Sequence, residues 1–297
     1  MKSRSEYGRE RRSFAARMQD LLRRKAAAAQ ARVYSLIIPL LTEFESEAGR
    51  LVFNVANISR ITQVRRIVDE SLAQEGSVIA RWIAAKVLNL ADLNRLYFKS
   101  FTSRPIEQVE QIAKRNVMLR LGYDIETGDL IRGGYLDDIA RNTQVGQVVG
   151  SAINRSLGAR MGLREFQSNF KAVFTNPQGL GLAERHFYTN TFDLFQQYDR
   201  SISKEYADQL NLNYAVYSGT TMSETRPFCS ARVGKVFTRE EVESWRNLSF
   251  QGKPKNYNPS TDLGGYNCRH SLDWISDELA ARFGRDVEAD QNQTVEA

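Results

Sequence analysis

The chain of 297 residues is 42% hydrophobic and 26% charged, a balance that excludes general disorder and leaves room for two domains, or one domain with a helical extension. Its net charge of +6 is uneven: residues 1–32 carry +7, which leaves −1 for the remainder. The first apolar run, Val33 to Leu41, is interrupted by Ser35 and Pro39 and falls well short of the roughly twenty residues of a membrane span. Nor does a secretory pattern open the chain, so synthesis in a cytoplasm is expected, with no membrane partner.

Residues 9–32 contain neither Gly nor Pro and are rich in Ala, Arg, Leu, Gln and Lys, which predicts a helix. Phe14, Met18, Leu21 and Leu22 form its apolar stripe. A basic amphipathic helix of this kind is either a solvated charged face or a surface for nucleic-acid phosphate or an acidic partner. The candidate nucleic-acid contacts are Arg4, Arg9, Arg11, Arg12, Arg17, Arg23, Arg24 and Lys25.

Helical patterns dominate from about 33 to 121. Ile79, Ile83, Val87 and Leu90 recur at helical spacing, beside Trp82. Ser103-Arg104-Pro105 marks another helix start, with Val109, Ile112, Ala113 and Val117 on one face. Residues 122–136 hold four glycines and read as a turn-rich connector or a short hairpin. Two modest helices follow, around 140–157 and 162–174, and Asn176-Pro177-Gln178-Gly179 marks a loop. The segment 180–210 is the longest uninterrupted helix candidate, with Phe187, Thr191, Leu194, Phe195, Tyr198 and Ile202 as its apolar face. His186 lies beside that face, as a hydrogen-bonded structural residue would.

The texture changes after Asn211. Tyr214 to Tyr217 predicts a strand, Gly234 to Phe237 a second, and Thr238 an N-cap for a short helix through Trp245. A long loop spans 250–266, and Leu272 to Phe283 reads as helix. The predicted fold class is mainly α, with an elongated N-terminal helical region followed by a small α+β C-terminal module. Its parts are a basic arm at 1–32, a helical region at 33–136, a module at 137–285 and a polar tail at 286–297. The module combines the long helix 180–210 with an α+β tip at 212–285.

The scarcest side chains meet in Asn267-Cys268-Arg269-His270. The chain owns two cysteines, Cys229 and Cys268, and two histidines, His186 and His270. Cysteine–histidine catalysis needs a third orienting group and an oxyanion site, and no such signature stands nearby, so an enzyme is not expected. Phosphate-binding loops are absent too. A structural zinc site takes four ligands. Cys229, Cys268 and His270 supply three, with His186 or a carboxylate such as Asp273 left for the fourth. A disulfide between Cys229 and Cys268 does not persist in a reducing compartment, but forms later if the protein ends up in an extracellular particle. The plainest reading is that the two cysteines pack together as small buried hydrophobes, with no cofactor.

The C-terminal elements resemble the phage head morphogenesis proteins of the Mu protein F type, also called minor head proteins. In that family a long helix and a strand precede an acidic-to-Thr-x-Pro-x-Cys element and Gly-Lys-Val-Phe. After a variable loop the module closes on Asn-Cys-Arg-Cys. Here the same order runs through 182–210, Tyr214 to Tyr217, Glu224 to Cys229, Gly234 to Phe237, and Asn267 to His270. The match covers roughly residues 140–275. Arg226 stands where many relatives have a cysteine, Gly265 where a histidine is frequent, and His270 in place of the final cysteine.

The resemblance implies a low-copy structural protein of a phage virion, at the portal vertex or capsid interior. Its implied partners are the portal protein or the major capsid protein, non-specific double-stranded DNA, and further copies of itself around the portal. The alternatives are a metal-dependent hydrolase or nuclease using the Cys/His site, or a sequence-independent nucleic-acid-binding protein.

Overall fold

The computed structural model describes residues 2–141 and 143–287, and the chain forms two compact units. The first comprises residues 1–19, 85–119 and 193–297, the second residues 20–84 and 120–192. In chain order the elements are α1 (Arg4–Thr42), β1 (Ser46–Glu47), β2 (Arg50–Leu51), α2 (Val55–Lys99), α3 (Glu107–Leu121), α4 (Tyr135–Arg141), α5 (Val145–Gly158), α6 (Leu163–Thr175), α7 (Leu182–Thr191), α8 (Leu194–Gln209), β3 (Tyr214–Ser218), α9 (Pro227–Ser230), β4 (Val236–Thr238), α10 (Arg239–Ser244), α11 (Pro259–Asp262), β5 (Ser271–Ile275) and α12 (Asp277–Arg282). The architecture is mainly α, with a small α+β part toward the C-terminus. Among the described residues no helix is long and apolar enough to cross a membrane.

The second unit is a helical core built from spacings of three and four. Val33, Ile37 and Leu41 of α1 are buried with Ile61, Val64, Val68 and Leu72 of α2, Val149, Ile153 and Leu157 of α5, and Phe166, Phe170 and Phe174 of α6. The start of α7 has only Gly181 at its cap position, which offers no side-chain acceptor. Gln30 supplies it: its Oε1 accepts from the backbone N–H of Ala183 (3.0 Å) and Glu184 (3.2 Å). A Cβ at position 181 would lie 2.0 Å from the Gln30 side chain, so the cap requires glycine there.

The first unit carries an antiparallel sheet in the order β4-β3-β5, with Tyr214 opposite both Thr238 and Ile275. Thr238 caps α10 through a reciprocal pair with Glu241: the Thr238 hydroxyl accepts from the Glu241 N–H, and the Glu241 carboxylate from the Thr238 N–H.

Three sequence expectations need correction. Leu272 to Phe283 is not one helix, because Ser271–Ile275 is a fully buried strand paired along β3 and only Asp277–Arg282 is helical. The segment 180–210 is broken at Phe192-Asp193, where Asp193 takes the left-handed conformation (φ 60°) and its carboxylate accepts the backbone N–H of Asn267. The longest helices are instead α1 and α2, of 39 and 45 residues. Finally, the helix expected over 9–32 runs from Arg4 to Thr42 as α1, whose buried stripe is Arg11, Ala15, Met18, Leu22, Ala26, Ala29 and Val33, while Leu21 of the expected apolar stripe is exposed. Of the proposed polar tail, residues 288–297 lie outside the described residues.

Arg11 organises the first unit. Its guanidinium is fully buried, with Nη2 2.8 Å from Asp273 Oδ1 on β5 and Nη1 donating to Asn94 Oδ1 (2.8 Å) on α2 and to Ser203 Oγ (3.3 Å) on α8. Nε lies 3.0 Å from Asp199 Oδ1 with its N–H off line, so that contact is an ion pair rather than a hydrogen bond. Asn94 also donates to Asp199 (2.9 Å), and Arg12 Nη1 reaches Asp273 Oδ2 at 2.7 Å. Burial raises both carboxyls, but Arg11 and Arg12 outweigh it at Asp273, which ends below its ordinary range. At Asp199, Arg11 and Asn94 offset burial only in part and the net shift is upward.

Removing one partner of such a cluster leaves buried charge uncompensated. Arg11→Ala is expected to lower unfolding free energy by about 3–5 kcal/mol in urea denaturation. Arg11→Lys restores little of it, since an ammonium cannot fork between two carboxylates. A loss below about 1 kcal/mol would place Arg11 among ordinary surface residues.

Candidate functional site

Three segments of the first unit meet behind the sheet. The short helix α9 opens with Pro227 at its first turn and buries Phe228 and Cys229. Strand β3 contributes the buried Tyr217. The third segment runs from α11 to β5. It turns through left-handed backbone at Gly265 (φ 81°) and Asn267 (φ 60°) before delivering Cys268 and His270. Gly264 lets it lie on the sulfurs: a Cβ there would be 2.2 Å from Cys229 Sγ and 3.2 Å from Cys268 Sγ.

Cys229 Sγ and Cys268 Sγ lie 4.0 Å apart and unbonded, and Cys268 Sγ is 3.6 Å from His270 Nδ1. The Tyr217 hydroxyl is 3.3 Å from Cys229 Sγ and 3.9 Å from Cys268 Sγ. All four side chains are buried, and His270 Nε2 has no hydrogen-bond partner. The donor atoms of Cys229, Cys268 and His270 fall within 4.8 Å of one another, a grouping that could hold a metal ion. Two sulfurs and an imidazole suit zinc, and the Tyr217 oxygen is the hydroxyl closest to hand. Asp273 is committed to Arg11 and Arg12, and His186 belongs to the other unit, where its Nε2 bonds the Ile139 carbonyl at 2.9 Å.

The two thiols are unequal. The hydrogen bond with Cys268, together with burial, pushes the Cys229 thiol up. Cys268 moves the other way: the bond from Cys229, then His270 and the Arg200 charge, outweigh its burial and favour the thiolate. The pair is therefore asymmetric, with Cys268 the more acidic thiol.

Side chains that the sequence did not single out hold this geometry. Buried Arg200 of α8 donates Nε to the His270 carbonyl (2.9 Å), Nη1 to the Thr261 carbonyl (2.7 Å) and Nη2 to the Cys268 carbonyl. Asp193 fixes the Asn267 N–H. Arg226 donates to the carbonyls of Gly264 (3.2 Å) and Tyr266 (2.7 Å). The loop is thus clamped by two arginines through backbone carbonyls, an arrangement with no local sequence signature.

The proposed nucleic-acid contacts divide. Arg11 is corrected outright, because a fully buried guanidinium bound to two aspartates cannot meet phosphate. Arg12 is paired with Asp273, Arg23 with Glu184 (3.3 Å), and the Lys25 ammonium lies 5.3 Å from the Trp82 ring centre. Arg4 lies against Phe283. Arg9, Arg17 and Arg24 are exposed and have no acidic partner among the described residues. No protein-family model, curated protein or solved structure matches the chain.

Two outcomes test this geometry. The metal-free protein should show thiolate absorbance near 240 nm at neutral pH that is lost in Cys268→Ser and persists in Cys229→Ser; the reverse pattern would exchange the two roles. Gly264→Ala should destabilise by about 1–3 kcal/mol through overpacking, and adding Cys229→Ala should recover part of that loss by removing the clashing sulfur; strict additivity in urea denaturation would contradict it.

Proposed function

We propose that this chain is a structural minor head protein of a tailed phage, positioned in the virion at the portal vertex or capsid interior. Its partners are the portal or major capsid protein, other copies of itself, and packaged double-stranded DNA contacted without sequence preference. One observation carries the reading. Four of the five segments on which the resemblance to head morphogenesis proteins rests are neighbours in space: β4 pairs with β3, and the Cys229 and Cys268 sulfurs of the Glu224–Cys229 and Asn267–His270 elements meet at Tyr217 of β3.

The cluster in that core acts as a clasp joining the ends of the excursion between Cys229 and Cys268. Zinc is a candidate occupant, bound by Cys229, Cys268 and His270. A closed structural role suits ligands this deeply buried, whereas a hydrolytic or nucleolytic metal needs an open coordination position facing substrate. DNA contact falls to exposed arginines of α1, Arg17 in the first unit and, separately, Arg23 and Arg24 in the second, through salt-sensitive phosphate neutralisation.

Mass spectrometry of purified particles should find the protein with heads or portal; consistent absence would defeat the virion assignment. Stoichiometric zinc in the purified protein, lost in Cys229→Ser, would establish a metal clasp; zinc-free protein with an intact fold would leave the thiol pair. Arg17→Gln/Arg23→Gln/Arg24→Gln should weaken retention on duplex DNA at about 50 mM salt and flatten its salt dependence; unchanged retention would remove α1 from the DNA contact.

A further inference from the structure

The basic first turns of α1 flank a hollow in the first unit that neither the fold nor the clasp uses. It has a volume of about 210 Å³ and lies between α1 and the ends of β3 and β5, with Arg4, Arg9 and Arg12 on one wall and Ser218 and Asp273 on the other. Gly8 permits this close approach of helix to strand, since a Cβ there would already lie 3.2 Å from Asp273 Oδ2.

Charge is not balanced around this space. Arg11 and Arg12 are matched by Asp199 and Asp273. Arg4 and Arg9 have no ion-pair partner among the described residues, although both line the hollow. The nearest acids of the helix are occupied elsewhere: Glu6 accepts from Ser3, and Glu10 from Lys2 at 2.8 Å. The hydroxyls of Ser5 and Ser218 lie in the same lining, the first 3.3 Å from Ser3 Oγ and the second donating to the Val216 carbonyl at 3.5 Å. Asp273 adds one negative charge, but its Oδ1 accepts from Arg11 and Ser271 and its Oδ2 from Arg12, so it is already neutralised. What remains is a concave surface with surplus guanidinium charge, the chemistry that recognises an oxyanion.

We infer that Arg4 and Arg9, the guanidinium groups of this hollow that lack an acidic partner, form a seat for a single phosphate group beside Ser5 and Ser218. The group comes either from the DNA backbone, which rests on the DNA contact proposed above, or from a free phosphate species. The seat is distinct from the Arg17 to Arg24 surface, so the two can be tested apart.

The test titrates inorganic phosphate into the full-length protein by calorimetry. Saturable binding is expected, weakened roughly ten- to a hundredfold in Arg4→Gln/Arg9→Gln by the loss of charge-assisted hydrogen bonds. The double variant keeps the Arg11 and Arg12 pairs, so its urea midpoint should stay at the wild-type value. Arg17→Gln/Arg23→Gln/Arg24→Gln should bind phosphate normally, as a seat confined to the hollow requires. If a short duplex DNA displaces the phosphate, the seat takes a backbone phosphodiester; if phosphate binds and duplex DNA does not displace it, the seat takes a free phosphate species. Absence of saturable binding, or equal affinity in Arg4→Gln/Arg9→Gln with the fold intact, overturns the inference.

Discussion

The first unit depends on one buried guanidinium. Arg11 lies among α1, α2, α8 and β5, and removing either of its aspartates leaves charge uncompensated in the buried interior. Such a cluster contributes little net stability against a hydrophobic replacement of equal volume. Its effect is geometric, because few packings satisfy two carboxylates and a fork of five N–H groups together. Asp273 lies three residues beyond His270, so the interaction that docks α1 also sets the strand on which the Cys268–His270 segment ends.

The same constraint changes the meaning of the charge asymmetry. A segment carrying +7 on a chain otherwise near neutrality looks like an arm for polyanions. Within the two units much of that charge is answered by acids from far along the chain: Asp199 and Asp273 for Arg11 and Arg12, Glu184 for Arg23, and Glu75 for Arg32. What stays available for phosphate is a smaller set, Arg4 and Arg9 at the hollow and Arg17 and Arg24 on the exposed face.

What was legible in the sequence was local or periodic. The helical spacings at 79–90, the strand at 214, the N-cap at Thr238, and the loop at 176–179 each depend on nearby residues, and each is present. The element from 272 was misread because Leu272, Trp274 and Ile275 run into a good helix former, Ala280. Only pairing with β3, more than fifty residues away, makes Ser271–Ile275 a strand. The break at Asp193 was hidden for a similar reason, since its cause is an N–H at Asn267. Around Tyr217 the sulfur and imidazole side chains were visible as scarce residues. Arg200 and Arg226 were not, because an arginine that binds carbonyls looks like any other in a helix or loop.

The central claim is that the start of α1 is an integral part of the first unit rather than an appended basic segment. Hydrogen–deuterium exchange of the intact protein tests it directly, because exchange reports the free energy of local opening. Amides of residues 8–18 should exchange as slowly as those of β5 and lose protection together with them in Asp273→Asn. Exchange in residues 8–18 at the rate of an unstructured chain, while β5 stays protected, would contradict the account.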